Sequence, residues 1–273
     1  MSASAELLSS GLNGAATAPD GTVIGFQAAG DGPSVLLVHG AASDARQWAA
    51  VVPLLALTHR VVTMNRRGRG ASGAIRSDHS VGTEYGDIAA VAAALPGPVH
   101  LVGHSSGARI ALHAALRIGS VASLVLYEPP PLETFAAGVL DSLAEMEENG
   151  DREGILRTFL LDVAGNDEEA LAFIRGRPIW PIMLDNALTL PAELRAANRY
   201  RFDPVPFGGL AVPTLCLLGE CSGPEVAQVA ERVVAALPDG RVAILRGQGH
   251  GAMLSAPALL VDELRRFFTS APE

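Results

Sequence analysis

Val99-His100-Leu101-Val102-Gly103-His104-Ser105-Ser106-Gly107-Ala108-Arg109-Ile110 changes its period in the middle. Up to Val102 the run is short, apolar and β-rich, as a strand covered on both faces should be. From Ser106 to Ile118 the residues recur as a helix does. The joint, Gly103-His104-Ser105-Ser106-Gly107, has the G-x-S-x-G form of a strand-turn-helix elbow. So sharp a turn strains the backbone of its central residue and brings chain close to positions 103 and 107, where side chains would clash. The strain holds Ser105 Oγ out at the carboxyl edge of the sheet, where open α/β folds bind ligands.

Outward from the elbow, short apolar runs alternate with helical stretches, the pattern of a mostly parallel sheet with helices on both faces. Strands are expected at Val35 to Val38, Arg60 to Met64, Val99 to Val102, Ala122 to Tyr127, Thr214 to Leu218 and Arg241 to Leu245. Helices are expected at Ala45 to Leu57, Thr83 to Leu95, Ser106 to Ile118, Pro224 to Leu237 and Pro257 to Phe268, with Gly21 to Ala28 adding an antiparallel edge hairpin. The alternation stops after Glu128. From Pro129 to Leu210 the text is Pro-punctuated and helical: Phe135, Val139, Leu143 and Met146 make one apolar face, and further pieces run from Glu153 to Val163, Asp167 to Ile174 and Pro191 to Tyr200. This divides the chain into a core of 1–128 and 211–273 and a helical cap of 129–210.

The 273 residues carry a formal charge of −9, and all 20 basic residues are Arg. With no Lys there is no Schiff-base amine, no pyridoxal-phosphate anchor and no Walker-A loop. An acidic chain with no basic run longer than Arg66-Arg67 does not suit nucleic acid, which needs clustered positive charge. Cys216 and Cys221 match neither zinc-ligand spacing nor a disulfide framework and are expected to be small apolar residues. Met1 to Gly14 lacks the features of a signal peptide, and no apolar run is long enough to span a bilayer, so the expected location is the cytoplasm. No cofactor and no metal site is expected.

A serine hydroxyl needs an adjacent base. Of seven His, His100 falls in a strand, His113 in a helix, His59 at a strand start, His79 in a polar loop, His39 in a turn and His104 in the elbow, pointing away from its neighbour. His250 stands in Gly247-Gln248-Gly249-His250-Gly251, a loop at the carboxyl edge after the strand ending at Leu245, and is the expected base. A base needs a carboxylate that fixes its tautomer. Two lie at strand ends between Ser105 and His250: Glu128 and Glu220.

With Leu37-Val38-His39-Gly40, Asn65-Arg66-Arg67-Gly68-Arg69-Gly70-Ala71-Ser72, Gly103 to Gly107, Gly219-Glu220 and Gly249-His250, the chain resembles the α/β-hydrolase fold family, in its small bacterial serine hydrolase or esterase type. The resemblance covers almost the full length. In most of that family the acid is an Asp at the place of residue 222, which here is Ser; a minority carry it one strand earlier, where Glu128 stands. The resemblance therefore implies a Ser105, His250, Glu128 triad, with Glu220 in reserve, and backbone N–H donors for an oxyanion from Ala41 and Ser106. Gly68-Arg69-Gly70-Ala71-Ser72-Gly73 spells a dinucleotide fingerprint, but a polar loop follows it rather than a helix, so it reads as a tight loop shared with the family. Asn65 replaces an acidic residue often found there.

The function implied is hydrolysis of a small ester, thioester or lactone through an acyl-enzyme on Ser105. A Ser nucleophile does not suit epoxide hydrolase or haloalkane dehalogenase chemistry, which needs Asp. Two alternatives stay open: non-hydrolytic lyase, cyclase or cofactor-free oxygenase chemistry on the same fold, and a small-ligand binder with vestigial catalysis. Phe135, Phe159, Phe173, Trp180 and Met183 are candidates to line an acyl pocket or to fill the cap core, and Trp48 reads as packing. The expected partner is a small molecule with an apolar acyl or lactone part.

Overall fold

The computed structural model describes residues 12–131 and 137–270. Eight strands, β1 (Leu12–Thr17), β2 (Val23–Ala29), β3 (Ser34–Val38), β4 (Arg60–Met64), β5 (Val99–His104), β6 (Val121–Tyr127), β7 (Thr214–Gly219) and β8 (Gly240–Leu245), form one sheet in the order β1-β2-β4-β3-β5-β6-β7-β8. β1 and β2 make an antiparallel hairpin, β2 runs antiparallel to β4, and the remaining pairs are parallel. The apolar runs of β3 to β7 thus form the interior of the sheet as their composition requires, whereas β8, read as equally covered, is an edge strand with Val242 and Ile244 exposed. β1 has no such run: Leu12-Asn13-Gly14-Ala15-Ala16-Thr17 is held by its ladder to β2 rather than by pattern.

The described α-helices are, in order, α1 (Val52–Leu55), α2 (Val81–Ala93), α3 (Ser106–Ala115), α4 (Ala137–Glu148), α5 (Arg152–Thr158), α6 (Glu168–Arg175), α7 (Ile179–Asn186), α8 (Leu190–Asn198), α9 (Pro224–Val234), α10 (Ala252–Ser255) and α11 (Pro257–Ser270). The single helix expected from Ala45 to Leu57 is instead a 3₁₀ turn, Ala45–Trp48, followed by α1. Pro53 explains the break, since it lacks the N–H an unbroken helix would use there and is tolerated only in a first turn.

Side chains from the two faces of the sheet enter separate cores. Leu36, Leu101, Leu124 and Leu126 pack with Ile88 of α2, Ile110 of α3 and Val229 of α9. Val35, Leu37, Val102, Tyr127 and Leu217 pack with Trp48, Leu55 and with Leu264, Phe267 and Phe268 of α11. Every helix from α4 to α8 lies between β6 and β7. Their third core joins Leu143, Ile155, Leu156, Leu160, Leu171, Met183, Ala187, Leu190 and Leu194 to one residue of the β3 edge, Ala42.

Of the apolar face expected on α4, Leu143 is fully buried and Val139 and Met146 pack against it, while Phe135 lies outside the described residues. The helical pieces read from sequence did not include α7, whose Pro178 and Pro181 both fall where the first helical turn needs no N–H. Phe159 and Trp180 pack on the third core, but Phe173 is exposed, with the Arg177 guanidinium 4.0 Å from its ring centre.

Two histidines pack in this framework without a carboxylate, His100 buried and His113 half-buried. His100 stacks on Phe268 at 4.2 Å and bonds Ser123 Oγ at 2.8 Å, and His113 stacks on Tyr85 at 4.7 Å and bonds the Tyr200 hydroxyl at 2.7 Å. Burial pushes both pKa values down to about 4. Above the usual imidazole pKa both folded and unfolded chains hold them neutral. Below it the unfolded chain takes up protons that the folded one refuses, so stability falls as pH drops from about 6.5 to 4, by roughly 3 kcal/mol for each group at the full extent. Calorimetric Tm is expected to fall steadily between pH 6.5 and 4.5; a flat Tm over that range would contradict the burial of these rings.

Candidate active site

Ser105 has φ +53° and ψ −124°, outside the regions L-residues prefer, at the joint of β5 and α3. The flanking glycines allow it. A Cβ on Gly103 would lie 2.5 Å from the Gly107 carbonyl oxygen, and one on Gly107 would run into the His39 and Val38 carbonyls. The first turn of α3 is therefore jammed against the end of β3. The Ser105 N–H bonds the Tyr127 carbonyl at 2.9 Å, which fastens the elbow to β6 as well.

The chain leaves β6 through Glu128, whose φ of +47° is again left-handed. Its side chain is almost wholly buried, and both oxygens are occupied. Oε2 lies 2.7 Å from His250 Nδ1, while Oε1 accepts the Gly219 N–H at 2.7 Å and the Ser222 hydroxyl. Burial by itself would push the Glu128 carboxyl up; the His250, Ser222 and Gly219 hydrogen bonds outweigh it and hold it below the usual carboxylate range. Glu220 faces the other way. It accepts the Gly247 N–H at 2.8 Å and pairs with Arg246 at 3.2 Å, so it braces the loop that carries His250 without reaching the ring. Of the two carboxylates left open by the sequence, Glu128 is the one brought to His250. Ser222, the departure from the family's Asp, donates to it.

The loop around His250 is held at several points that sequence reasoning missed. The Tyr127 hydroxyl donates to the Gly249 carbonyl and accepts the Ala252 N–H at 3.1 Å. His104, expected to point away idly, is in fact a connector. Its Nε2 donates to the His250 carbonyl at 2.9 Å, which leaves Nδ1 to accept from Gln47 Nε2 at 3.1 Å. Burial holds His104 far below the ordinary imidazole pKa, so it stays neutral in this role. Through-space partners 57 and 146 positions away leave no local signal in sequence.

Gly40 lies over the elbow, where a Cβ would come 3.2 Å from that of Ser105. The chain then turns at Ala42, φ +49°. Among the described residues no hydrogen bond engages the N–H of Ala41 or of Ser106, the first residue of α3. Two free donors at a helix N-terminus and an adjacent turn suit developing negative charge. Asn65, unexplained from sequence, accepts the Ala45 N–H at 3.0 Å and so anchors the far end of this turn.

His79 stands in a loop, as expected, but it is buried, with Nε2 3.4 Å from Glu84. Arg66 and Arg67 are buried too, Arg66 against Glu84 and Glu193 and Arg67 against Asp87 and Asp20. Cys216 is a buried core thiol, but Cys221 is exposed.

Among the described residues no cluster of three or more His, Cys, Asp or Glu could hold a metal ion, and no helix is long and apolar enough to cross a membrane. A groove of about 410 Å³ runs between the Gly68 to Ser77 loop and α8, lined in part by Ile75, Thr189 and Arg195, and includes none of the residues above.

Sheet order, elbow and the Glu128 to His250 pair define an α/β hydrolase architecture. The family model described as "Alpha/beta hydrolase family" matches residues 35–263, and the chain belongs to that family. The crystal structure of an alpha/beta hydrolase from Sphaerobacter thermophilus superposes with a TM-score of 0.84 at 29% identity, covering 93% of this chain and 100% of that one. A non-heme haloperoxidase of Rhodococcus erythropolis is 30% identical over 86% of this chain and 92% of its own length. A pimeloyl-[acyl-carrier protein] methyl ester esterase of Methylococcus capsulatus is 41% identical over 102 residues, 37% of this chain, and the match spans only 39% of that esterase.

Gly219 tests how tightly the His250 loop is packed. A Cβ there would lie 2.5 Å from the Gln248 carbonyl oxygen and from Gly249 Cα, both backbone atoms. Gly219→Ala is expected to destabilise the fold by about 1–3 kcal/mol in urea unfolding, with amide chemical-shift changes concentrated in residues 247–251. An unperturbed loop would mean that the contact is slack.

Proposed function

We propose that the chain is a serine hydrolase that cleaves a small carboxylic ester, thioester or lactone. Helices α4 to α8 then act as a cap, 129–210, over a core of 1–128 and 211–273. In the reaction His250 Nε2 takes the Ser105 proton as Oγ attacks the carbonyl carbon. The Ala41 and Ser106 N–H groups receive the oxyanion, each such donor contributing on the order of 3 kcal/mol to the transition state. His250 then passes its proton to the leaving oxygen or sulfur, and the acyl group remains on Ser105. Water, deprotonated by His250, attacks that ester and releases the acid. Glu128 fixes the Nδ1–H tautomer and stabilises the imidazolium.

The observation that carries this reading is the 2.7 Å contact of His250 Nδ1 with a carboxylate whose other oxygen is already saturated. Ser222 supports it: the residue that departs from the family pattern serves the acid in its alternative place, so it is no sign of decayed catalysis. The esterase among the relatives is consistent with ester chemistry. The relative named as a haloperoxidase favours one second reading, non-hydrolytic chemistry by the same groups.

A fluorophosphonate probe is expected to label the protein and to fail on Ser105→Ala; labelling of the variant would refute the nucleophile. A panel of p-nitrophenyl esters separates the readings, since fast turnover supports hydrolysis, labelling without turnover supports the non-hydrolytic alternative, and neither supports a binding protein. Glu128→Gln should lower kcat by about 10³–10⁴-fold, whereas Glu220→Gln should change it by less than about tenfold. The reverse order would move the acid to Glu220.

A further inference from the structure

Among the described residues, the peptide group between Gly40 and Ala41 has its N–H end free and its carbonyl end held twice. The Gly40 oxygen lies 2.8 Å from His39 Nδ1 and accepts Arg66 Nη1 at 3.2 Å. The His39 tautomer is fixed by its other nitrogen, because Nε2 accepts the Arg66 backbone N–H at 3.0 Å and therefore carries no proton. Nδ1–H is thus a donor to Gly40. In a trans peptide the C=O and N–H point in opposite directions, so holding the oxygen from behind aims the Ala41 N–H forward. Two donors on the oxygen also polarise the amide and strengthen its N–H as a donor.

Arg66 is suited to this place by its count of donors. Nε and Nη2 grip Glu84 at 2.5 and 2.9 Å, Nη2 also reaches Glu193 at 2.9 Å, and Nη1 divides between Gly40 O and Ser106 Oγ at 3.1 Å. Its five acceptors are set around one planar fork. Two of them belong to the residues on either side of the Ser105 carbonyl-binding corner, and a third, Glu193, comes from α8, where it also pairs with Arg69. Ala42, next to the donor, is buried in the core of α4 to α8.

We propose that Arg66, with His39, is a positioning residue for the oxyanion site, and that Glu193 ties this clamp to the helical insertion. The insertion then does more than cover the pocket, because its seating sets the direction of the Ala41 N–H. The proposal rests on the serine hydrolase reading, and its test keeps the two apart.

The test compares wild type, Arg66→Met, Arg66→Lys and Glu193→Gln, after near-UV circular dichroism has verified that each is folded. The measurements are kcat and KM on a p-nitrophenyl ester, and inhibition by an aryl trifluoromethyl ketone, whose adduct with Ser105 places an oxyanion between the two donors. Arg66→Met is expected to lower kcat about 10²-fold and to weaken the ketone by a like factor, with KM within about threefold. Arg66→Lys, with three donors in place of five, should recover part of both, and Glu193→Gln should lower both by a smaller factor. A loss that appears in KM while ketone affinity relative to KM is unchanged would overturn the proposal. So would a Glu193→Gln enzyme identical to wild type if Arg66→Met fails to fold. Should wild type neither label nor turn over, the hydrolase reading fails; the clamp is then judged by the Ala41 amide proton shift, which must move upfield in Glu193→Gln to sustain it.

Discussion

The structure depends on one close approach, the first turn of α3 against the end of β3. Gly107 sits where any side chain would meet the Val38 and His39 carbonyls. With that contact made, the β5 strand must reverse within a residue, and Ser105 takes up the strain in a left-handed conformation. The same contact brings the start of α3, with its free N–H groups, beside the β3 loop that carries Gly40 and Ala41. A strained residue of this kind persists only where its surroundings over-determine it. Here they do so through the Tyr127 carbonyl on one side and the glycine contacts on the other.

From the elbow two chains of hydrogen bonds spread, and they meet. One runs from Glu128 to His250. The other runs from the Gly40 N–H through Gln47 and His104 to the His250 carbonyl, its first link long at 3.4 Å. The histidine loop and the turn over the elbow are therefore mechanically connected through a buried neutral imidazole. Because each link has a fixed donor direction, the tautomers of His39 and His104 follow from geometry rather than from pH.

Much of this was legible in the sequence, and the boundary of legibility has a physical cause. Strands such as Arg60–Met64 could be read because a strand covered on both faces has to be apolar throughout. The elbow could be read because its residues stand together in the chain between a strand and a helix, although the carbonyls that exclude a side chain at Gly107 belong to Val38 and His39. The two carboxylates could be found by their places at strand ends, but only the register of β7 beside β6 decides that Ser222 and the Gly219 N–H converge on Glu128. His104, Gln47, Tyr127 and the burial of Arg66 were not legible, since their partners lie far off in the chain and no periodicity marks them. Helices opened by Pro224 and Pro257 were read, whereas the break at Pro53 and the helix that holds Pro178 and Pro181 in its first turn were not.

The absence of Lys, at first only a means of excluding amine chemistry, takes on a structural sense at Arg66. Burying two arginines and two carboxylates together is not in itself a gain in stability, because desolvation consumes most of the attraction. What such a cluster supplies is direction. Glu84 from α2, Glu193 from α8, the Gly40 carbonyl and the Ser106 hydroxyl lie around one guanidinium, and only a planar group with five donors can serve them all at once. An ammonium in that position would keep the charge and lose the geometry. The cluster therefore fixes the orientation of three separate elements relative to the elbow, with a precision that apolar packing of the same volume would not impose.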